Sequence, residues 1–123
     1  MSQVTEKEIS DLVDSFYARA RAHPQLGPLF NGAIADWPDH LRVIRDFWSG
    51  ALLGTERYKR HAYPAHVNLP IRLEHFDQWL ELFREAARET LPEEAAVRAI
   101  ARAEHMTESF RRGLFPFEPI RKR

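Results

Sequence analysis

Apolar residues recur at every third or fourth position in four separate stretches of this chain, and no stretch alternates at every second position. Steps of three and four put side chains on one face of an α-helix, whereas a half-buried strand needs a period of two. No Asn-Gly or Asp-Gly hairpin signal is present either. The pattern confines the chain to an all-α fold. At 123 residues it has enough length for one core enclosing one small molecule, and the expected organisation is a single domain over 1–123.

The helices follow in order. Thr5 and Glu8 form a capping-box pair ahead of Ile9, Leu12, Val13, Phe16, Tyr17 and Ala20, which predicts a helix over 6–22 that stops before Pro24. Residues 23–36 carry Pro24, Gly27, Pro28 and Gly32, so short turns should alternate with brief helical pieces, with Phe30 drawn into the core. Asp36 caps a helix opened by Trp37 and Pro38. Its apolar face is Leu41, Ile44, Phe47, Trp48, Ala51 and Leu52, with His40 at the inner edge, and it should end at Gly50 or Gly54. Residues 55–61 are polar and read as an exposed loop. The longest helix is expected over 73–91, with Phe76, Trp79, Leu80, Phe83, Ala86 and Ala87 inward. After Pro92, a last helix should turn Ala96, Val97, Ile100, Ala103, Met106 or Thr107, and Phe110 to the core, reaching Gly113. Residues 114–119 form an apolar tail expected to pack back on the domain.

Composition removes several function classes. Eighteen basic and eighteen acidic residues balance to zero, which argues against nucleic acid or an anionic membrane as the main partner. Cysteine is absent, which excludes disulfides, thiolate metal sites and cysteine nucleophiles. The first eleven residues are polar and acidic, and no run approaches ~20 apolar residues. A soluble, cytoplasmic protein fits these features.

Four polar side chains stand apart from this pattern. Between Pro64 and Pro70 lies Ala65-His66-Val67-Asn68-Leu69, a short stretch barred from any long helix, with apolar neighbours around one imidazole. A rigid turn of this kind presents one ring nitrogen to a fixed point, and imidazole is the commonest metal ligand; the competing reading is a solvated loop histidine. Tyr17 sits on a buried helical face, either as a core tyrosine bonded to a backbone carbonyl or at a pocket wall. Trp79 is central on its helix and its N–H needs an acceptor. His40 is either a half-exposed residue near a helix start or part of the same group. No inward Asp or Glu recurs, no Gly-rich phosphate loop occurs, and no HExxH motif is present. Hydrolytic and di-iron carboxylate chemistry therefore lack support. One histidine holding a metal centre, with Tyr, Trp and His facing a small polar ligand, meets the description of a haem held by a single proximal histidine.

Several segments, each weak alone, carry a resemblance by their order and spacing. These are Phe16-Tyr17, Leu26-Gly27-Pro28-Leu29-Phe30-Asn31, Phe47-Trp48-Ser49-Gly50-Ala51-Leu52-Leu53-Gly54, His66-Val67-Asn68-Leu69-Pro70 and Phe76-Asp77-Gln78-Trp79-Leu80-Glu81-Leu82-Phe83. Over most of its length, from about Ile9 to Phe110, the chain resembles the truncated haemoglobins, and most closely their third group. The resemblance implies a two-over-two helical sandwich around one b-type haem. It implies His66 as the iron ligand, with Tyr17, Trp79 and His40 on the distal side. Ile44 would lie one turn along the same wall, Phe30 would pack on the haem, and Phe47 and Trp48 would complete the cofactor contacts. The Gly-Gly motifs of the first two groups have no counterpart here.

The function so implied is binding of oxygen and other diatomic ligands, CO and NO among them, by a His-ligated haem b with a polar distal pocket, as in oxygen transport. The alternative is a haem enzyme with peroxidase-like, nitric-oxide dioxygenase or nitrite reductase activity, fed by an unidentified reductase. A third reading, a helical interaction module without haem, leaves His66, Tyr17 and Trp79 without a purpose.

Overall fold

The structure, a computed structural model, describes residues 3–58 and 72–114. Among them are five helices and no strand: α1 (Glu6–Ala22), α2 (Leu26–Ala33), α3 (Trp37–Leu53), α4 (Leu73–Thr90) and α5 (Glu93–Leu114). α1 and α3 pack against α4 and α5, two helices over two, and the short α2 bridges from α1 toward α4.

The helix ends follow from their capping chemistry. Thr5 Oγ1 accepts from the Glu8 N–H (3.1 Å) while Glu8 Oε1 accepts from the Thr5 N–H (3.0 Å), closing the expected box. Asp36 Oδ1 accepts from the Asp39 N–H (3.1 Å) at the head of α3. Gly54 ends α3 with φ 79°, a left-handed conformation that costs glycine least. Of the two candidate stops, the second is used. α2 takes its cap from an unexpected source: His23 Nδ1 accepts from the N–H groups of Gln25 (3.1 Å) and Leu26 (3.2 Å). Gly27 is required where α2 crosses the end of α1, because a β-carbon there would collide with the Arg21 carbonyl.

The core divides in two. At the turn joining α4 and α5, the inward residues are Ala86, Ala87, Ala95, Ala96, Ala99 and Ala103, all buried. Small side chains let helices approach closely. Toward the other end of the same pair the inward residues are Phe76, Trp79, Phe83, Met106, Thr107 and Phe110, and they surround a hollow. Phe83, 2% exposed, lies at the boundary. It stacks on Trp48 (centroids 4.9 Å apart) and on Trp79 (5.3 Å, interplanar 4°), and meets Phe16 edge-on (5.9 Å). Offset and edge-on ring pairs of this kind are favoured by the ring quadrupole.

Two expectations need correction. The longest helix is α5, of 22 residues, and not α4, of 18. Val97, expected on the inward face of the last helix, is 63% exposed, and Ala99 is buried in its place. The face runs through 96, 99, 103 and 107, and Val97 lies about 100° around the helix from Ala96. Residues 55–58 form the expected loop, with Glu56 and Arg57 exposed, and it is tethered to the helices. Ser49, fully buried, donates to Glu6 Oε2 (2.8 Å) and accepts from Thr55 Oγ1 (2.9 Å) and Arg57 Nη2 (2.9 Å). Arg57 also bonds Glu6 (3.1 Å) and Asp46 (3.1 Å), tying this segment to α1 and α3. The Ser49 hydroxyl, first, and the Arg57 guanidinium together hold the Glu6 carboxyl below its ordinary value against the opposing effect of burial. The expected packing of residues beyond Leu114 lies outside the described residues.

Candidate functional site

The hollow beside Phe83 is a partly open cavity of about 310 Å³. That is within the ~300–1,000 Å³ range in which proteins hold small molecules and cofactors. α1 supplies Phe16 and Tyr17, α2 supplies Leu29 and Phe30, α3 supplies His40, Ile44, Phe47 and Trp48, and α4 and α5 supply the aromatic residues already named. Helical spacing does this work: 40, 44, 47 and 48 fall on one stripe of α3, and 76, 79 and 83 on one stripe of α4. No Asp, Glu, Lys or Arg is among the described residues that line it.

Tyr17, His40, Trp79, Phe30, Ile44, Phe47 and Trp48, all picked out in the sequence, line this one cavity. His66 lies outside the described residues. Tyr17 is 7% exposed, and its hydroxyl lies 3.2 Å from His40 Nε2, a hydrogen bond whose direction depends on the imidazole tautomer. Burial pushes the Tyr17 pKa well above the ordinary tyrosine value, so the hydroxyl stays protonated and able to donate. The two rings meet edge-on, 5.3 Å apart, and Phe30 packs edge-on against Tyr17 (5.8 Å). Trp79 is half-buried rather than fully enclosed. Its ring is fixed by Phe83 and by Phe16 (5.1 Å), and its N–H has no hydrogen-bond partner among the described residues.

The sequence reading missed two aromatic groups in the lining. His75 lies one turn before Trp79, on the stripe that continues through Phe83, and that step of four was the available signal. Its Nδ1 accepts from the Arg72 N–H (2.9 Å), so the proton of the neutral ring is on Nε2. Tyr58 meets Phe47 edge-on (5.2 Å) and follows directly on the Arg57 tether. A second, polar recess lined by Gln25, Pro28, Arg72 and Glu74 shares Leu29 and His75 with the main cavity.

The donor set suits a flat, largely apolar macrocycle. The walls are mainly aromatic and aliphatic; the buried Tyr17 hydroxyl is paired with the half-buried His40 imidazole, and the buried Thr107 hydroxyl donates to the Glu104 carbonyl (3.0 Å). A buried carboxylate or ammonium would need a charged partner, and the described walls offer none.

Residues 4–111 match the model of the family described as bacterial-like globin. The chain is 32% identical over 119 residues to the group 3 truncated hemoglobin ctb of Campylobacter jejuni, covering 93% of this chain and 94% of that one. It is 33% identical over 88 residues to the group 2 truncated hemoglobin YjbI of Bacillus subtilis, covering 68% and 64%. The crystal structure of the group III truncated hemoglobin from Campylobacter jejuni superposes with a TM-score of 0.86, covering 94% of both chains. Sequence, fold and cavity agree, and the chain belongs to the bacterial-like globins as a truncated haemoglobin of the third group, a haem protein by family.

Proposed function

We propose that the cavity holds a b-type haem ligated through His66, and that Tyr17, His40 and Trp79 face oxygen or another diatomic ligand. The observation that carries this reading is the pairing of the buried Tyr17 hydroxyl with the half-buried His40 imidazole in a cavity built mainly of aromatic and aliphatic side chains. When bound, the haem supplies an iron that takes a diatomic ligand or exchanges electrons with it. The chain's own residues do the rest. Phe30, Ile44, Phe47 and Trp48 exclude water and clasp the macrocycle. Tyr17, held neutral by burial, offers an O–H, and Trp79 offers an N–H on a ring that its stack keeps still. Donors fixed in a water-poor site favour a ligand that carries partial negative charge.

The same pair favours a second reading. A polar donor set beside the ligand also polarises the O–O bond of oxygen or peroxide and the N–O bond of nitrite, so peroxide turnover, nitric oxide dioxygenation or nitrite reduction with a separate reductase is the rival. Among the described residues no helix is long and apolar enough to cross a membrane, and the proposed setting is cytoplasmic. Stopped-flow absorbance of the reduced protein mixed with oxygen, nitric oxide and peroxide separates the readings. A long-lived oxygen complex supports binding, and rapid turnover of peroxide or nitric oxide supports an enzyme. A purified chain with no Soret band that takes up no added haemin overturns both.

A further inference from the structure

Trp37 stands behind the polar pair without lining the cavity itself. Its indole meets the His40 imidazole edge-on (centroids 5.7 Å apart, interplanar 85°) and the Tyr17 ring in the same manner (5.6 Å, 68°). The Arg21 guanidinium lies over the indole, 4.1 Å from its centroid, and Arg21 Nε donates to Asn31 Oδ1 (3.3 Å). Three helices contribute to this stack. Tyr17 and Arg21 are one turn apart on α1, Asn31 is on α2, and Trp37 and His40 are three residues apart in the first turn of α3.

We propose that Trp37, held in place by Arg21, is the positioning residue that keeps the His40 ring turned onto the Tyr17 hydroxyl. It thereby decides whether the cavity presents a joined Tyr–His pair or a lone hydroxyl to its ligand. The inference rests on the reading of the cavity as a haem pocket for diatomic ligands. A histidine in the first turn of a half-exposed helix has several staggered rotamers open to it. Here one side of the ring is bounded by Tyr17 and another by Trp37, so a rotamer that carries the imidazole toward the start of α3 must displace the indole. The residues beside Trp37, at 35, 36 and 38, are exposed, and the half-buried indole packs against the core beneath the Arg21 guanidinium and beside the Tyr17 and His40 rings. An aromatic pair of this kind biases a two-state population by roughly two- to tenfold, and the cation over the ring adds a factor of similar size.

The test compares Arg21→Gln, Trp37→Ala and Trp37→Phe in the full-length chain. Nitrogen-15 NMR of the His40 ring, in purified protein with and without added haemin, reports the bond to Tyr17. Infrared spectra of the reduced protein under carbon monoxide report how many environments that ligand meets. Wild type and Trp37→Phe are expected to share one dominant C–O band and a hydrogen-bonded His40 Nε2 signal. In Arg21→Gln and Trp37→Ala a second band should grow by roughly two- to tenfold as that signal weakens. If both variants keep the wild-type nitrogen shifts and a single band, the positioning role is overturned. Should Trp37→Ala fail to fold, Arg21→Gln, an exposed change, decides alone. A chain that takes up no haemin removes the pocket reading, while the nitrogen shifts still decide whether Trp37 holds His40.

Discussion

Replacing Trp79 by Phe keeps a ring on Phe83 and deletes one N–H. In the structure that N–H has no competing partner among the described residues, so on the proposed reading its whole hydrogen bond is available to the ligand. A bond to a strongly polar acceptor is worth ~1.5–3 kcal/mol net. Each 1.4 kcal/mol is about tenfold, so the oxygen dissociation rate should rise by roughly 10- to 100-fold. Tyr17→Phe should do less. The Tyr17 hydroxyl is already bonded to His40 at 3.2 Å, so a donation to the ligand replaces a neutral bond worth ~0.5–1.5 kcal/mol. The difference of ~1 kcal/mol leaves roughly a fivefold effect. Removing the hydroxyl also releases His40, which can then bond the ligand in its place, and the double variant reveals that exchange as non-additivity. Carbon monoxide is the control, because it is less polar and gains little from a donor. Stopped-flow displacement measures both gases. Wild-type dissociation of oxygen and carbon monoxide from both single variants would mean that neither side chain faces the ligand, and the assignment of the distal wall would fall.

His66→Ala should lose most haem during gel filtration or show an altered reduced-state spectrum, while His105→Ala keeps both; an unchanged spectrum in His66→Ala refutes the ligation. Because burial raises the Tyr17 pKa in the folded chain above its ordinary value of 10, the unfolded chain loses that proton first, and stability falls as pH rises above 10. Urea unfolding at pH 9 and pH 11 should show a smaller loss in Tyr17→Phe than in wild type. Phe83→Ala removes a ring stacked between two tryptophans and should cost ~3–5 kcal/mol in denaturant unfolding. Ser49→Ala should cost ~1–2 kcal/mol. It should also flatten the loss of stability on acidification below pH 4.5, because the Glu6 carboxylate, held low by Ser49 and Arg57, is protonated only as pH falls through its folded-state pKa.

Much of this fold was legible in the sequence because its signals were local. Thr5 and Glu8, Asp36, Pro38 and Gly54 mark helix ends through bonds or backbone angles that span only a few residues. Seven of the eight expected site residues line one cavity, because stripes at 40, 44, 47 and 79, 83 fix which side chains face inward. What stayed hidden depends on distant partners. Nothing near Arg57 announces that Glu6 and Asp46 will hold it, so residues 55–58 read only as an exposed loop, without the tether. His23 caps α2 with a ring nitrogen, outside the usual Ser, Thr, Asp and Asn vocabulary. Val97 is the larger, more hydrophobic side chain but loses its place to Ala99, since helical phase and the closeness of α4 outweigh hydrophobicity at that position.

The alanine end of the α4–α5 pair carries a consequence for how the cavity can change. Where helices meet through methyl groups, one added carbon pries them apart, and a rigid helix passes that displacement along its length as a lever does. Enlarging Ala99 or Ala103, neither of which lines the cavity, should therefore widen or skew the chamber between Trp79 and Phe110. Swaps of similar volume among the chamber's aromatics leave the fulcrum untouched. The dimensions of the pocket are thus set partly by residues that no ligand meets, and variants chosen only from its walls would leave that means of adjustment unused.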